Sequence, residues 1–300
     1  MSQKFYEELK HIIPEARIKA DEPMKAHTTF RIGGPAKYFV IPETKEEIKA
    51  IIECCKAENV PYYILGNGSN LLVGDQGFRG VVIQLYKNFD GIKIEGTKVT
   101  ARAGAMLVRV AKEAGKAGLT GLEFASGIPG TIGGAMVMNA GAYGGEISQV
   151  IKSATVMDKN GNIREVKAAD MALGYRTSVF KESEDIILSV QLKLVPDDKD
   201  LIRERMEDYF SRRREKQPLE FPSAGSTFKR PDGYFAAALI EECGLKGVSV
   251  GGAQVSEKHS GFVINTGNAT ASDVLELIEH IKQTVFMQKG VTLECEIKVI

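Results

Sequence analysis

GLEFASGIPGTIGGAMVMNAGAYGG, residues 121–145, is the stretch around which the rest of the chain is organised. From Phe124 to Gly145 it carries no charged side chain, while Gly127, Gly130, Gly133, Gly134, Gly141, Gly144 and Gly145 leave the backbone free for positive φ and close approach. Such a segment is built to meet a ligand with its main chain. An uncharged run of about 20 residues also has the length of a membrane span. The glycines, Pro129 and Asn139 make it too weakly apolar for that, and no membrane association is expected.

The totals narrow the classes of function. Three hundred residues suit two or three ordinary domains. Lys plus Arg equals Asp plus Glu at 39 each, so no overall field favours a polyanion and no nucleic-acid partner is expected. Cys54, Cys55, Cys243 and Cys295 show no C-x-x-C spacing, which suits reduced thiols in the cytosol. No His, Cys and carboxylate cluster has metal-ligand spacing, so no metal is expected. The first residues, MSQKFYEE, are acidic where a secretory signal needs its apolar core, and the chain reads as soluble and cytoplasmic. No feature of it sets an oligomeric state.

Upstream of the glycine-rich stretch, Phe5, Leu9, Ile12 and Ile13 predict a helix that Pro14 ends. A β-rich run follows at Lys37–Pro42, and Thr44-x-x-Glu47 is a capping box for a helix to about Asn59 that buries Ile48, Ile51, Ile52 and Cys55. A strand at Tyr62–Leu65 enters Gly66-Asn67-Gly68-Ser69-Asn70, and apolar runs at 71–73 and 81–85 follow. The pentapeptide reads either as a glycine turn or as a nest of N–H groups suited to a diphosphate. It is not G-x-G-x-x-G and opens no helix, so the dinucleotide-fold fingerprint fails. Residues 92–103 alternate as two short strands around Gly96, and Met106–Lys116 predicts a helix with Leu107, Val110, Ala111 and Ala114 inward.

Downstream, strands are predicted at 150–157 and 163–166 about an Asn160-Gly161 hairpin turn, and again at 186–195. Pro196 to Asp200 breaks the sheet pattern and is the best domain boundary. A helix over 201–216 ends in Arg212-Arg213-Arg214-Glu215-Lys216, which is either a solvated helix end favoured by the macrodipole or an anion site. Helical spacing returns over 234–243, with short strands near Val248 and Phe262. A long helix opens at Thr270-x-x-Asp273 and buries Val274, Leu277, Ile278, Ile281 and Val285. The last strand is expected over 291–300, where period two puts Glu294 and Glu296 on one face; an exposed strand face is enough to explain both.

Six segments, in this order, resemble the UDP-N-acetylenolpyruvoylglucosamine reductase family: HTTFRIGG at 27–34, the glycine loop at 65–73, SGIPGTIGG at 126–134, Gly174-Tyr175-Arg176, Ala224-Gly225-Ser226 and Leu293-Glu294-Cys295-Glu296. The resemblance covers nearly the whole chain. It implies an α+β architecture: a two-subdomain FAD-binding fold of the vanillyl-alcohol-oxidase type, residues 1–95 and 96–196, followed by a smaller α+β substrate-binding domain, residues 197–300. It also implies that Gly66, Asn67, Gly68, Ser69 and Asn70 embrace FAD together with Ser126, Gly127, Ile128, Pro129, Gly130, Thr131, Gly133, Gly134, Gly141 and Ala142. Chargeless loops of this kind can offer N–H donors to a diphosphate.

The family's reaction is a two-step hydride transfer, from NADPH to FAD and from reduced flavin to the enolpyruvyl ether of a UDP-sugar, in the synthesis of peptidoglycan precursors. Hydride addition leaves negative charge on the neighbouring carbon, delocalised into the carboxylate, so a cation and a proton donor are required. By the resemblance Arg176 pairs with that carboxylate, Ser226 gives the proton, and Glu296 stabilises the developing charge. A glutamate can do so only if protonated or bridged by a donor, so its pKa is expected to be raised in the site. Tyr175, Arg213, Lys216, Gly225 and His259 align with substrate-binding positions.

One branch of the family carries a long tyrosine-bearing insertion between the arginine and serine motifs, and this chain is too short there to hold it. The resemblance is therefore to the shorter branch. His27 stands where the resemblance implies no covalent bond to flavin, so dissociable FAD is expected. Two other functions are kept as alternatives: a flavin oxidase of the same wider fold, which would consume oxygen without nicotinamide, and a non-catalytic nucleotide-sugar-binding protein, which would be colourless.

Overall fold

Where apolar residues recur at helical spacing, the computed structural model, which describes residues 3–300, forms the expected helices. Helix α1, Gln3–Ile12, buries Phe5 and Leu9. Helix α2, Lys45–Ala57, buries Ile48, Ile51, Ile52 and Cys55, and Thr44 accepts the Glu47 N–H at its start. The Glu47 carboxylate reaches back to the Glu43 N–H and takes two N–H groups of Arg17 at 2.9 and 2.7 Å. The cap is thus reinforced by an ion pair rather than closed on Thr44. Tyr62–Leu65 pairs in parallel with the strand Phe78–Gln84, in register Tyr62↔Val81 to Leu65↔Gln84.

Two compact units interleave along the chain. The first takes the residues up to Lys19, Tyr38–Asn67 and Gly80–Arg213; the second takes Ala20–Lys37, Gly68–Arg79 and Arg214–Ile300. The first unit holds two apolar cores. One packs α1 and α2 over Tyr38, Val40, Val81 and Ile83. The other lies on an antiparallel five-stranded sheet, in the spatial order Ile163–Lys167, Ile151–Met157, Ile186–Lys193, Lys98–Arg102, Ile92–Glu95. Helix α3, Leu107–Lys116, buries its predicted face there. The Asn160-Gly161 turn forms as expected, with Asp158 Oδ1 accepting the Asn160 and Asn162 N–H groups and Gly161 at φ 78°.

The glycine-rich stretch is more ordered than composition implied. It contains a short helix α4, Ile132–Val137, whose Thr131 cap accepts the Gly134 N–H. Two glycines argue against a helix on propensity. Packing overrides that, because Ile132, Ala135 and Met136 are buried and a Cβ on Gly133 would lie 2.9 Å from that of Ala103. Gly141–Ala142 then pairs with Gly145–Glu146 about a tight turn, with Tyr143 at φ 53° and Gly144 at φ 83°. Beyond it, Val195–Pro196 pairs with Leu119–Thr120, and helix α5, Lys199–Lys216, follows.

The second unit packs helix α6, Ala236–Glu242, and helix α7, Ala271–Lys289, against a three-stranded antiparallel sheet, Ser249–Val250, Ala253–Val255 and Val263–Asn265. The middle strand has no counterpart in the sequence reading. At three residues it is too short to show alternation. Helix α7 has the predicted capping box, Thr270 with Asp273, and ends at Gly290 with φ 68°. The expected strand over 291–300 is mostly absent; only Lys298–Val299 forms one, parallel to Leu71–Leu72. This segment divides its hydrogen bonds between two short partners. Glu296 N–H donates to the Thr227 carbonyl and Lys298 N–H to that of Asn70. Alternation consequently breaks, leaving Glu294 exposed and Glu296 half-buried.

All four cysteines are free thiols, and burial pushes Cys54 up to about 11 and Cys55 up to about 12. Among the described residues no helix is long and apolar enough to cross a membrane, and no group of three or more His, Cys, Asp or Glu could hold a metal ion.

Candidate active site

In the first unit the two glycine-rich loops touch. A Cβ on Gly66 would stand 2.4 Å from Thr131 Oγ1, and the Asn67 amide donates to the Pro129 carbonyl. Only glycine at 66 lets the loops close this far. Gly68, Ser69 and Asn70 begin a segment of the second unit. There Gly68 has φ 63°, with the His27 carbonyl 2.2 Å from where a Cβ would lie. The Asn70 amide donates to the Glu296 carbonyl at 3.1 Å, a role that the sequence reading did not give it.

Ser126 is 8 % exposed, and its hydroxyl is buried without a hydrogen-bond partner. An orphaned buried hydroxyl calls for a ligand or ordered water. Beside it, a Cβ on Gly127 would lie 3.0 Å from Arg213 Cδ and 3.1 Å from Nη1, so the guanidinium lies along the glycine. No carboxylate pairs with Arg213 among the described residues, and burial lowers its pKa while Tyr143 raises it. Tyr143 itself stacks on Tyr209, ring centroids 4.7 Å apart. A desolvated guanidinium lacking a counter-charge is an anion site in waiting. Arg212, by contrast, is occupied by Asp208, and Lys216 is exposed.

Just before Ser126, Glu123 is 6 % exposed. Burial pushes its pKa up, but hydrogen bonds from Thr120, the Gly121 N–H and Arg205 outweigh this and hold it below the usual carboxylate range. Arg205 also pairs with Asp197 and so fastens α5 to the glycine-rich stretch. Sequence reading missed this cluster, whose members lie up to 85 residues apart.

Arg176 is half-buried at φ 54° in a turn that Gly174 and Thr177 close on each other, and its guanidinium lies over the Tyr175 ring at 5.1 Å. Tyr175 is exposed.

The second unit brings Ser226 and Glu296 onto adjoining segments. Residues 227–229 meet 294–296 through Glu296 N–H to the Thr227 carbonyl, 2.8 Å, and Lys229 N–H to the Glu294 carbonyl, 2.8 Å, around a Phe228↔Cys295 bridge. Gly225, at φ 79°, has open space where a side chain would be. Glu294, the other glutamate, pairs with Lys229. The Thr227 N–H donates to the Gly261 carbonyl, which ties in the loop carrying His259. Burial lowers the His259 pKa, and its Nδ1 accepts the Gly261 N–H, so the ring is neutral with its proton on Nε2.

A sequence profile of the FAD-binding domain family matches residues 36–167. The crystal structure of p-cresol methylhydroxylase with substrate bound superimposes with a TM-score of 0.61 at 12 % identity, over 97 % of this chain and 89 % of that one, a likeness of fold alone. Fold and glycine-lined site together define an FAD-binding flavoprotein of the vanillyl-alcohol-oxidase type, in an α+β chain. A second profile, UDP-N-acetylenolpyruvoylglucosamine reductase C-terminal domain, matches residues 217–300. The UDP-N-acetylenolpyruvoylglucosamine reductase of Clostridium botulinum (strain Hall) is 53 % identical over 99 % of this chain and 97 % of its own, and that of Clostridioides difficile 51 % identical over 100 % and 98 %. The UDP-N-acetylenolpyruvylglucosamine reductase structure from Thermus caldophilus matches with a TM-score of 0.80 at 38 % identity, covering 92 % of this chain and 97 % of that one. The chain belongs to the UDP-N-acetylenolpyruvoylglucosamine reductase family.

The residues present fit FAD. The orphaned Ser126 hydroxyl supplies a donor, the bare Gly66 lets its loop close on Thr131, and no acidic side chain occurs from Phe124 to Gly145 to repel a diphosphate.

Proposed function

We propose that this protein reduces the enolpyruvyl ether of UDP-N-acetylglucosamine enolpyruvate to UDP-N-acetylmuramate in the cytoplasm, with NADPH as hydride donor, as a step of peptidoglycan precursor synthesis. The observation that carries the reading is the pairing of the Ser226 and Glu296 segments in a chain 53 % identical to a reductase of that name. Bound FAD supplies the hydride relay between NADPH and substrate.

The loops at 66–70 and 126–134, with Gly141 and Ala142, hold the cofactor without a covalent bond. Arg176 pairs bidentately with the substrate carboxylate and stabilises the charge that develops there. Ser226 gives its proton to the carbon next to the one receiving hydride; a hydroxyl is a weak acid, but an enolate-type carbon is a strong enough base. Glu296, protonated or bridged by a donor, assists at the same charge. Arg213 and Lys216 take the diphosphate, with Tyr175, Gly225 and neutral His259 as further substrate contacts. The unpaired, desolvated Arg213 guanidinium supports its part. In this reading residues 1–95 and 96–196 serve the cofactor, Tyr175 and Arg176 apart, and 197–300 the substrate; the profile matches at 36–167 and 217–300 support the later division, while the compact units join 20–37 and 68–79 to 214–300.

The test is a spectrum followed by two additions under anaerobic conditions. The purified protein is expected to be yellow, to bleach with NADPH, and to recover its colour on adding the enolpyruvyl substrate. A colourless protein, or one reoxidised by oxygen but not by that substrate, would overturn the reading.

A further inference from the structure

Arg176 sits in a conformation that L-residues rarely adopt, at φ 54°, and Ala172 in the same loop has φ 45°. Such strain persists only where the surroundings over-determine it, and it concentrates at functional sites. The turn's own closure is modest. Gly174 N–H to the Thr177 carbonyl measures 3.2 Å and Thr177 N–H to the Gly174 carbonyl 3.3 Å, both at the long end for such bonds.

Further restraint comes from the glycine-rich stretch. Asn139 is 1 % exposed. Its Nδ2 donates to the Gly174 carbonyl at 3.1 Å, and its Oδ1 accepts the Ser148 N–H at 2.9 Å. With a partner on each side, the amide has one orientation that satisfies both. Asn139 itself has φ 42°, which asparagine tolerates better than most residues. A second tether runs from the Ser178 hydroxyl to the Val137 carbonyl, 2.8 Å, on the other side of Arg176. A buried amide in these surroundings bonds more strongly than it would in water.

We propose that Asn139 is the positioning residue for Arg176: its side-chain amide, braced by the Ser148 N–H, holds the Gly174 carbonyl and thereby keeps Arg176 in its left-handed backbone conformation. The wall that lines the cofactor site thus also aims the substrate-binding arginine. The proposal rests on the reading of Arg176 as the partner of the substrate carboxylate.

Asn139→Gly tests it, since glycine keeps the positive φ and deletes only the amide. In the flavin-loaded protein, hydrogen exchange at the Gly174 and Thr177 amides is expected to quicken at least tenfold, with the strands at 151–157 and 186–193 unchanged. In stopped-flow, flavin reduction by NADPH is expected to hold its rate while the enolpyruvyl half-reaction slows roughly 10- to 100-fold. Asn139→Gly added to Arg176→Ala is expected to slow that half-reaction no further. Unchanged exchange at 174 and 177, or losses that multiply in the double variant, would overturn the proposal. If exchange quickens but Arg176→Ala reduces substrate at the wild-type rate, the reading of Arg176 fails and the positioning inference stands. Should Asn139→Gly not fold, Ser178→Ala removes the second tether, and failure to show the same pattern at smaller size counts against the proposal.

Discussion

The Arg176 turn and the Ser226–Glu296 pair are held by different means. Side chains hold the first: the Asn139 amide and the Ser178 hydroxyl restrain a backbone that would otherwise relax. Main chain predominates in the second, through Glu296 N–H to Thr227, Lys229 N–H to Glu294 and Thr227 N–H to Gly261, with the Asn70 amide added on the Glu296 carbonyl. Backbone pairing does not depend on which side chains are present, so chemistry can be changed at Ser226 without moving it. A geometry built from side chains is exposed to any substitution among them.

The largest expected effect tests the main-chain side of this contrast. Ser226→Ala is expected to leave NADPH reduction intact and to slow enolpyruvyl reduction on the order of 10²- to 10⁴-fold, with stability within about 0.5 kcal/mol of the parent. Stopped-flow of both half-reactions and a thermal melt check this. Equal loss in both half-reactions would remove Ser226 as proton donor.

Next in size comes the buried Glu123, whose partners Thr120, Gly121 and Arg205 show how far the first unit relies on side chains. Its pKa is lowered in the fold, so it contributes stability above the unfolded carboxylate pKa, and that contribution is lost as pH falls through the folded value. Glu123→Gln is expected to cost about 1–3 kcal/mol at neutral pH and progressively less in acid. Denaturant melts at several pH values would show the two curves converging; a constant gap would mean that the ion pair is not the source.

The smallest effect has the opposite sign. Arg176→Gly relieves a left-handed backbone and is expected to stabilise the fold by up to about 1 kcal/mol while disabling enolpyruvyl reduction. A destabilised variant would show that the arginine's own packing outweighs its strain.

Much of this was legible in the residues. Thr44 and Thr270 announce helix starts through short-range hydrogen bonds, and Asn160-Gly161 announces a hairpin, because each signal acts within a few positions. Helix α4 escaped notice because packing against Ala103, rather than propensity, licenses it. The final strand failed for a related reason, since its partners at Thr227 and Asn70 divide it. Arg213 stood out as a basic residue, but its packing along Gly127 did not. Asn139 read only as an interruption of an apolar run, because its partner lies 35 residues away and no period records it.

The interleaving of the two units bears on how the chain emerges from a ribosome. The core of the second unit draws Phe30, Ile32 and Leu72 from early segments and Val274, Leu277 and Ile281 from a helix made near the end. The first unit has all its residues once Arg213 is out, whereas the second waits for Arg214–Ile300. Its early strips must therefore be kept open until then. A fragment cut at residue 214 would lack Phe30, Ile32 and Leu72 from its own core, so this part of the molecule is not a cassette that can be shuffled alone.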